Sequence, residues 1–197
     1  MTPAPREDTG GRLELPEVWR ATADEVESPF PCDEHVPDPD ASWFRAVTVQ
    51  ADPDTVFRWL CQLKVAPYSY DLVDNLGRAS PRALTPGAER LQLGQRVMTI
   101  FELVSFDHGD HLTIAMRDRW ALRVFGELAL TYTVRGGAPP GFCRLVVKVV
   151  VRDPPGRWGG LRTRALAWGD LAMMRRQLLT LRELAEGTAT RRTSEGP

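Results

Sequence analysis

The feature that most limits the fold is a strand pattern followed directly by one long helix pattern. Across Cys143–Arg152 apolar and polar residues alternate, which predicts a strand with one core-directed face and one wet face. Asp153–Gly156 contains two prolines and ends that strand. Across Leu161–Ala185 apolar residues recur at spacings of three and four, which predicts one long amphipathic helix. A sheet with an apolar face needs a cover, and only this helix is long enough to supply it.

The upstream sequence predicts further strands and one clear helix. Asp52 is an N-cap and Pro53 suits the first helical position, while Pro67 ends the helix. A second short helix or turn is predicted across Tyr68–Gly77. The predicted strands are Trp43–Gln50, Val97–Phe106, His111–Arg117, Arg119–Phe125 and Glu127–Arg135. The fold class is therefore α+β: a curved antiparallel sheet of about seven strands wraps a long C-terminal helix, with two short helices after the first strand.

Length and charge exclude several classes of protein. The 197 residues suit one domain with tails, and a net charge of -1 gives no global field for nucleic acid or an anionic membrane. Apolar runs fall far short of the ~20 residues that span a bilayer, so no transmembrane segment is predicted. Met1–Gly11 has no apolar signal stretch. The three cysteines are odd in number and widely spaced, which is typical of reduced thiols in a cytoplasmic protein without a zinc site.

The densest polar and aromatic cluster follows the predicted first helix. Tyr68, Tyr70, Asp71, Asp74 and Asn75 lie within eight residues of one another. Their hydroxyl and amide groups suit the mouth of a binding site, where they would orient the polar end of a ligand. The alternative is that the aspartates and the asparagine cap and turn the backbone while the tyrosines pack.

Glu102 is the single acid that falls inside an apolar strand pattern. By period two it shares a face with Met98, Ile100, Val104 and Phe106. If that face is inward, the charged carboxylate is disfavoured among apolar side chains, and Glu102 becomes a general acid or a ligand anchor. The opposite face is equally apolar, so a solvent-facing Glu102 is the alternative.

Three further residues are candidate walls of an internal site. Tyr132 lies on the predicted inner face of its strand, and Trp168 and Met174 lie on the apolar stripe of the long helix. Ordinary core packing is the alternative for all three. His108 and His111 fall in a hairpin and face opposite sides of a strand, so no metal site is predicted. The sequence has no evident Ser-His-Asp set, phosphate-binding loop or dinucleotide fingerprint, and no cofactor is expected.

Parts of this pattern resemble a known superfamily. The residues that carry the resemblance are Ala51–Leu60, Pro67–Arg82, Leu93–Val97 and the final strand and helix. The chain resembles the START-like, or SRPBCC, superfamily, and within it bacterial polyketide-cyclase-like proteins. The resemblance implies the helix-grip fold. It implies no catalytic residue, because the superfamily has no common catalytic set and a fold does not fix a function.

The expected organisation and function follow from both arguments. Residues 1–41 are expected to be an extended, partly disordered arm, residues 42–186 a START-like ligand-binding domain, and residues 187–197 a flexible tail. Residues 1–28 are expected to add little stability. The first functional hypothesis is the binding or carriage of a small apolar or amphipathic molecule in an internal cavity, bordered by Tyr132 and by Trp168 or Met174. The alternatives are a cyclase- or aromatase-like enzyme that uses a cavity acid, and a protein-interaction module.

Overall fold

One seven-stranded sheet and one long helix organise the chain in a computed structural model that describes residues 14–69, 79–137, 139–154 and 159–194. The strands are β1 (Val18–Trp19), β2 (Ala41–Val49), β3 (Arg96–Val97), β4 (Phe101–Asp107), β5 (His111–Met116), β6 (Glu127–Gly136) and β7 (Cys143–Arg152). The helices are α1 (Ala23–Glu27), α2 (Pro53–Leu60), α3 (Arg119–Phe125) and α4 (Gly159–Ser194), with 3-10 turns at Pro31–Glu34 and Cys61–Lys64. The strand order is β1-β2-β7-β6-β5-β4-β3.

The inner face of the sheet holds the main core. β7 pairs antiparallel with both β2 and β6 along its whole length, and its valines alternate between the two faces. Leu178, Leu181 and Ala185 of α4 are buried against the inner face. Asp52 accepts from the backbone N–H of Thr55 and begins α2, as predicted. The predicted helix-grip architecture is confirmed by this order of elements and by the long helix that crosses the sheet.

The outer face of the sheet is covered by the N-terminal segment. Phe30, Cys32 and Val36 are buried and pack on outer-face residues of β2 and β7. Glu25 pairs with Arg144 at 2.7 Å, and Asp33 pairs with Lys148 at 2.7 Å. The expectation of an extended arm is therefore wrong for residues 14–41. The acidic residues that suggested a solvated arm neutralise the cations that suggested a wet face of β7.

Three predicted elements differ from the structure. Arg119–Phe125 was predicted as a strand and is the helix α3, because the Asp118 carboxylate accepts from the backbone N–H of Trp120 and caps it. α4 continues through the predicted tail to Ser194. β1 pairs with β2 in parallel, so the sheet is antiparallel except at that two-residue edge. The predicted helix over Tyr68–Gly77 falls mostly outside the described residues.

Candidate functional site

Four polar side chains lie between the inner face of the sheet and α4. They are Arg45 of β2, Tyr132 of β6, and Asp170 and Gln177 of α4, and together they form what we call the interior polar cluster. Asp170 and Gln177 are seven residues apart, so they share one face of the helix. Arg45 alternates with Trp43 and Val47, which places it on the inner face of β2. Polar groups buried in this way need partners or carry a function.

Arg45 is fully buried and is held mainly by backbone oxygens. Its Nη1 donates to the carbonyl oxygens of Glu17 at 2.8 Å and Phe44 at 3.0 Å, and Nη2 donates to that of Ala167 at 3.5 Å. Nη2 also lies 2.9 Å from Asp170 Oδ2. Burial lowers the pKa of Arg45, and the negative charge of Asp170 opposes that change. The guanidinium remains a cation at neutral pH, since its ordinary pKa is so high.

Asp170 is the one acid of the cluster, and its environment disfavours the carboxylate. Its side chain is 19% exposed. Burial raises the pKa of Asp170 to about 6, and the charge and hydrogen bond of Arg45 lower it. Desolvation therefore outweighs the ion pair. A carboxyl group that titrates near neutral pH is suited to anchor a ligand or to transfer a proton.

Tyr132 and Gln177 form the second half of the cluster. The Tyr132 hydroxyl donates to Gln177 Oε1 at 2.6 Å and lies 3.8 Å from Met174 Sδ. Burial raises the pKa of Tyr132 far above its ordinary value. Gln177 Nε2 donates to the carbonyl oxygen of Pro67 at 2.5 Å. The predicted space between Tyr132 and Met174 is thus filled by direct contacts, and a cavity at that point is a wrong prediction.

Strained backbone surrounds Gln177. Tyr68, next to Pro67, has a φ of 56°, and Met98 and Thr99 have φ values of 46° and 67°. Met98 Sδ lies 3.3 Å from Gln177 Nε2. Residues other than glycine rarely adopt this region, and such strain persists only where the surroundings impose it. The Gln177 amide therefore joins the two strained loops to α4.

The other predicted site residues lie elsewhere. Glu102 pairs with Ala115, whose side chain belongs to the outer-face cluster, so Glu102 also points outward. The register shifts between Leu103 and Ser105, and this bulge broke the period-two argument that placed Glu102 with Phe106. Trp168 is 48% exposed and does not form an inner wall. Tyr68 is buried, with its ring 6.1 Å from that of Trp59. Tyr70, Asp71, Asp74 and Asn75 lie outside the described residues.

Open space adjoins the cluster at the start of α4. A cleft of about 600 Å³, which we call the β2–α4 cleft, is lined by Glu17, Asp40, Ala41, Trp43, Asp153, Pro154, Gly160, Thr163, Arg164 and Ala167. Arg45 donates to the backbone oxygens of two of these residues, Glu17 and Ala167. The Arg45–Asp170 pair therefore lies directly behind the wall of the cleft. Three other cavities, of about 390, 740 and 270 Å³, lie on the surface, and Tyr132 lines none of the four.

A hydrogen-bonded serine, histidine and aspartate occur at the β4–β5 hairpin. Ser105 Oγ lies 3.2 Å from His111 Nε2, and His111 Nδ1 lies 2.9 Å from Asp110 Oδ2. The sequence did not reveal this set, because the bulge in β4 sets the facing of Ser105. Asp110 is 60% exposed, and none of the four cavities is lined by these residues. The arrangement lacks the concave site that nucleophilic catalysis needs.

Metal and membrane-spanning sites were also sought in the described ranges. Within those ranges, no three histidine, cysteine, aspartate or glutamate side chains come together as metal ligands. No helix among the described residues has both the length and the apolar character to cross a bilayer.

Two members of the interior polar cluster escaped the sequence argument. The signal for Arg45 was present, since a cation stood on the predicted inner face of its strand. Asp170 and Gln177 each precede a leucine of the apolar stripe, and they are indistinguishable from the polar flank of an amphipathic helix. Only the distances to Arg45 and Tyr132 show that both face inward.

Known proteins resemble this chain in shape rather than in sequence. No protein-family model and no curated protein matches it. A protein from Mesorhizobium loti has 12% identity and a TM-score of 0.46, over 75% of this chain and 98% of that chain. The di-domain ARO/CYC StfQ from the steffimycin biosynthetic pathway has 11% identity and a TM-score of 0.46, over 83% and 55%. DynU16 from the dynemicin biosynthetic locus has 20% identity and a TM-score of 0.44, over 76% and 49%. These likenesses are too distant to transfer an activity.

Proposed function

We propose that the protein binds a small, mostly apolar molecule with one polar group in the β2–α4 cleft. The observation that carries the proposal is the buried Arg45–Asp170 pair directly behind the wall of that cleft. A volume of about 600 Å³ falls in the range of small-molecule sites. This places the ligand at the start of α4, rather than beside Tyr132 as the sequence predicted.

The apolar part of the ligand has a matching surface. Trp43, Ala41, Ala167 and Pro154 line the cleft, and Trp43 and Ala167 also belong to the core. Removing apolar area from water contributes roughly 25 cal/mol per Å², so this surface supplies affinity without fixing orientation. Orientation then depends on the few polar groups nearby.

Asp170 is the group we assign to orient the ligand. Above its pKa of about 6 the carboxylate accepts a hydrogen bond, and below that pKa it also donates one. Arg45 is already occupied by three backbone oxygens and by Asp170. At neutral pH the best ligand is therefore an apolar molecule that carries one hydroxyl or other hydrogen-bond donor.

Filling the cleft tests this proposal. A Cβ built on Gly160, which lines the cleft, meets no atom within 4 Å, so Gly160→Trp adds volume without a clash. With Nile red as the probe, we expect Gly160→Trp to weaken binding by about tenfold or more, measured by fluorescence titration. Gly169→Trp is the matched control, because Gly169 is in the same helix, is also free of contacts and lies outside the cleft. Equal probe affinity in all three proteins would place the ligand elsewhere.

A second candidate function is proton transfer to or from a bound carbonyl compound. The observation that favours it is the raised pKa of Asp170, which makes this carboxyl group both an acid and a base near neutral pH. Acetylacetone is a suitable probe, since exchange of its central hydrogens for deuterium is followed by NMR. We expect Asp170→Asn to reduce catalysed exchange to the buffer rate, while the exposed control Asp54→Asn leaves it unchanged. Equal exchange in wild type and Asp170→Asn would exclude Asp170 as the catalytic group.

A further inference from the structure

Helix α3 presents both apolar and cationic side chains to solvent. Trp120 and Val124 are four residues apart on one face and are 55% and 50% exposed. The Trp120 ring packs edge-on against Phe125, with centroids 6.1 Å apart. Arg119 and Arg123 are also exposed and lie beside this pair. An exposed aromatic group flanked by cations is unusual on a free surface and points to a contact.

The outward direction of Trp120 is imposed by the anchors of α3. The Asp118 carboxylate caps the helix by accepting from the Trp120 backbone N–H, and Ala121 on the opposite face is fully buried. Gly126 ends the helix with a φ of 82°, and a Cβ there would lie 2.1 Å from the carbonyl oxygen of Arg152. The helix is fixed at both ends, so it cannot rotate to bury Trp120.

The cations of α3 have no acidic partners. Arg117, Arg119 and Arg123 form no ion pair with any residue that the structure describes. The nearby acids are engaged or set back: Glu127 pairs with Arg152 at 3.4 Å, and Glu102 is half-buried in the cavity that Arg96, Arg117, Asp118 and Arg119 also line. Across residues 117–125, three arginines face one aspartate. The patch is locally positive although the whole chain carries a net charge of -1.

We propose that α3 docks the protein on the surface of an anionic membrane. Tryptophan is enriched at the membrane–water interface, because its ring is apolar and its N–H stays hydrated. Arginine side chains beside it are attracted by the negative surface potential of anionic lipids. Charges more than about 10 Å from the contact are screened at physiological salt, so the overall negative charge does not oppose this local attraction. α3 has 7 residues and lies on the surface rather than across the bilayer.

The α3 surface is next to the β2–α4 cleft. Arg162 of α4 donates from Nη1 to the carbonyl oxygen of Val124 at 3.3 Å and pairs with Asp153 at 2.8 Å. Asp153 and Pro154 line both the cleft and the outer cavity beside α3. A protein docked through α3 would hold the cleft close to the lipid surface. The docking inference stands on the exposed patch alone and does not require that the cleft bind a ligand.

Vesicle sedimentation tests the inference with the full chain. We expect wild type to sediment with vesicles of phosphatidylcholine and phosphatidylserine, and far less with pure phosphatidylcholine. Trp120→Ala should weaken binding by about tenfold through loss of the interfacial ring. The double variant R119E/R123E should weaken it by more than about 25-fold, since each arginine near the surface contributes about fivefold and the glutamates also repel.

Matched controls separate the patch from overall charge and from folding. Trp168→Ala removes another exposed tryptophan, and R175E/R176E makes the same charge change on the exposed face of α4. Both controls should bind like wild type, and circular dichroism should show that every variant is folded. Absence of wild-type binding to the anionic vesicles overturns the proposal, as does an equal loss in R175E/R176E. A size increase with concentration that Trp120→Ala abolishes, without vesicle binding, would assign the patch to a protein contact instead.

Discussion

Replacing Asp170 by Asn tests whether burial or the ion pair controls the acid behind the cleft. Arg45, at 2.9 Å, favours the carboxylate, whereas burial favours the neutral carboxyl group. The pKa of Asp170 is raised from 3.8 to about 6, which means that burial wins. Asn is neutral at every pH and has nearly the same shape, so it isolates the effect of the charge.

The sign and size of the effect follow from that pKa. Because the folded protein holds the Asp170 proton more tightly than the unfolded chain, the group stabilises the fold least when it is ionised. Stability from this group is full below about pH 4 and is lost as the pH rises to about 6. A shift of roughly two units corresponds to about 3 kcal/mol in the free energy of unfolding.

Urea unfolding of both proteins between pH 4 and pH 7.5, followed by circular dichroism, measures this difference. Other titrating groups are common to wild type and Asp170→Asn, so their effects cancel in the difference. We expect the variant to gain about 3 kcal/mol relative to wild type between about pH 4 and pH 7. If wild type gains relative to the variant as the pH rises, the Arg45 ion pair dominates and our account of Asp170 is wrong.

Three further predictions concern stability, each measured by thermal or urea unfolding. Gly126→Ala should cost about 3 kcal/mol or more, because its φ of 82° and the Arg152 carbonyl oxygen both exclude a Cβ; a neutral effect would mean that the turn can move. Tyr132→Phe should cost about 1–3 kcal/mol, because it leaves the buried Gln177 Oε1 without its donor; an unchanged midpoint would imply that water or another donor replaces it. Deleting residues 1–28 should lower the midpoint by about 8 °C or more, contrary to the expectation from sequence, because the deletion removes acceptors of buried groups; a smaller fall would restore the view of a dispensable arm.

The parts of the fold that follow a strict period were predictable. β6, β7 and α4 were predicted because apolar residues repeat every two or every three to four positions, and a single buried face imposes that repeat. The segment that covers the outer face has no such period. Phe30, Cys32 and Val36 are separated by polar residues and prolines, and their burial depends on a sheet that is distant in sequence.

α3 shows why short apolar segments are ambiguous. Arg119–Phe125 is rich in aromatic and branched residues, which suit a strand, and it is too short for periodicity to decide. The deciding residues lie just outside it. Asp118 caps a helix, and Gly126 supplies a backbone conformation that stops one. Cap and stop signals should therefore outweigh composition in segments of this length.

The candidate site was the least predictable part. Arg45 could be placed on the inner face because a strand has only two faces. The position of Asp170 relative to Arg45 depends on how α4 is rotated against the sheet, and periodicity leaves that rotation free by up to one residue. Glu102 was misplaced by the bulge in β4, which no sequence pattern announced.

The two-residue strands at both edges of the sheet bear on how the protein avoids aggregation. A long unpaired edge offers a row of free N–H and C=O groups to which another chain can add a strand. β3 is too short to serve as such a template. β2 is a 9-residue edge, but β1 pairs with it at Phe44 and Arg45, in its middle, and divides the free edge into two short pieces. Loss of β1 would therefore expose a continuous strand edge for intermolecular pairing, a hazard for solubility that is separate from any loss of folding stability.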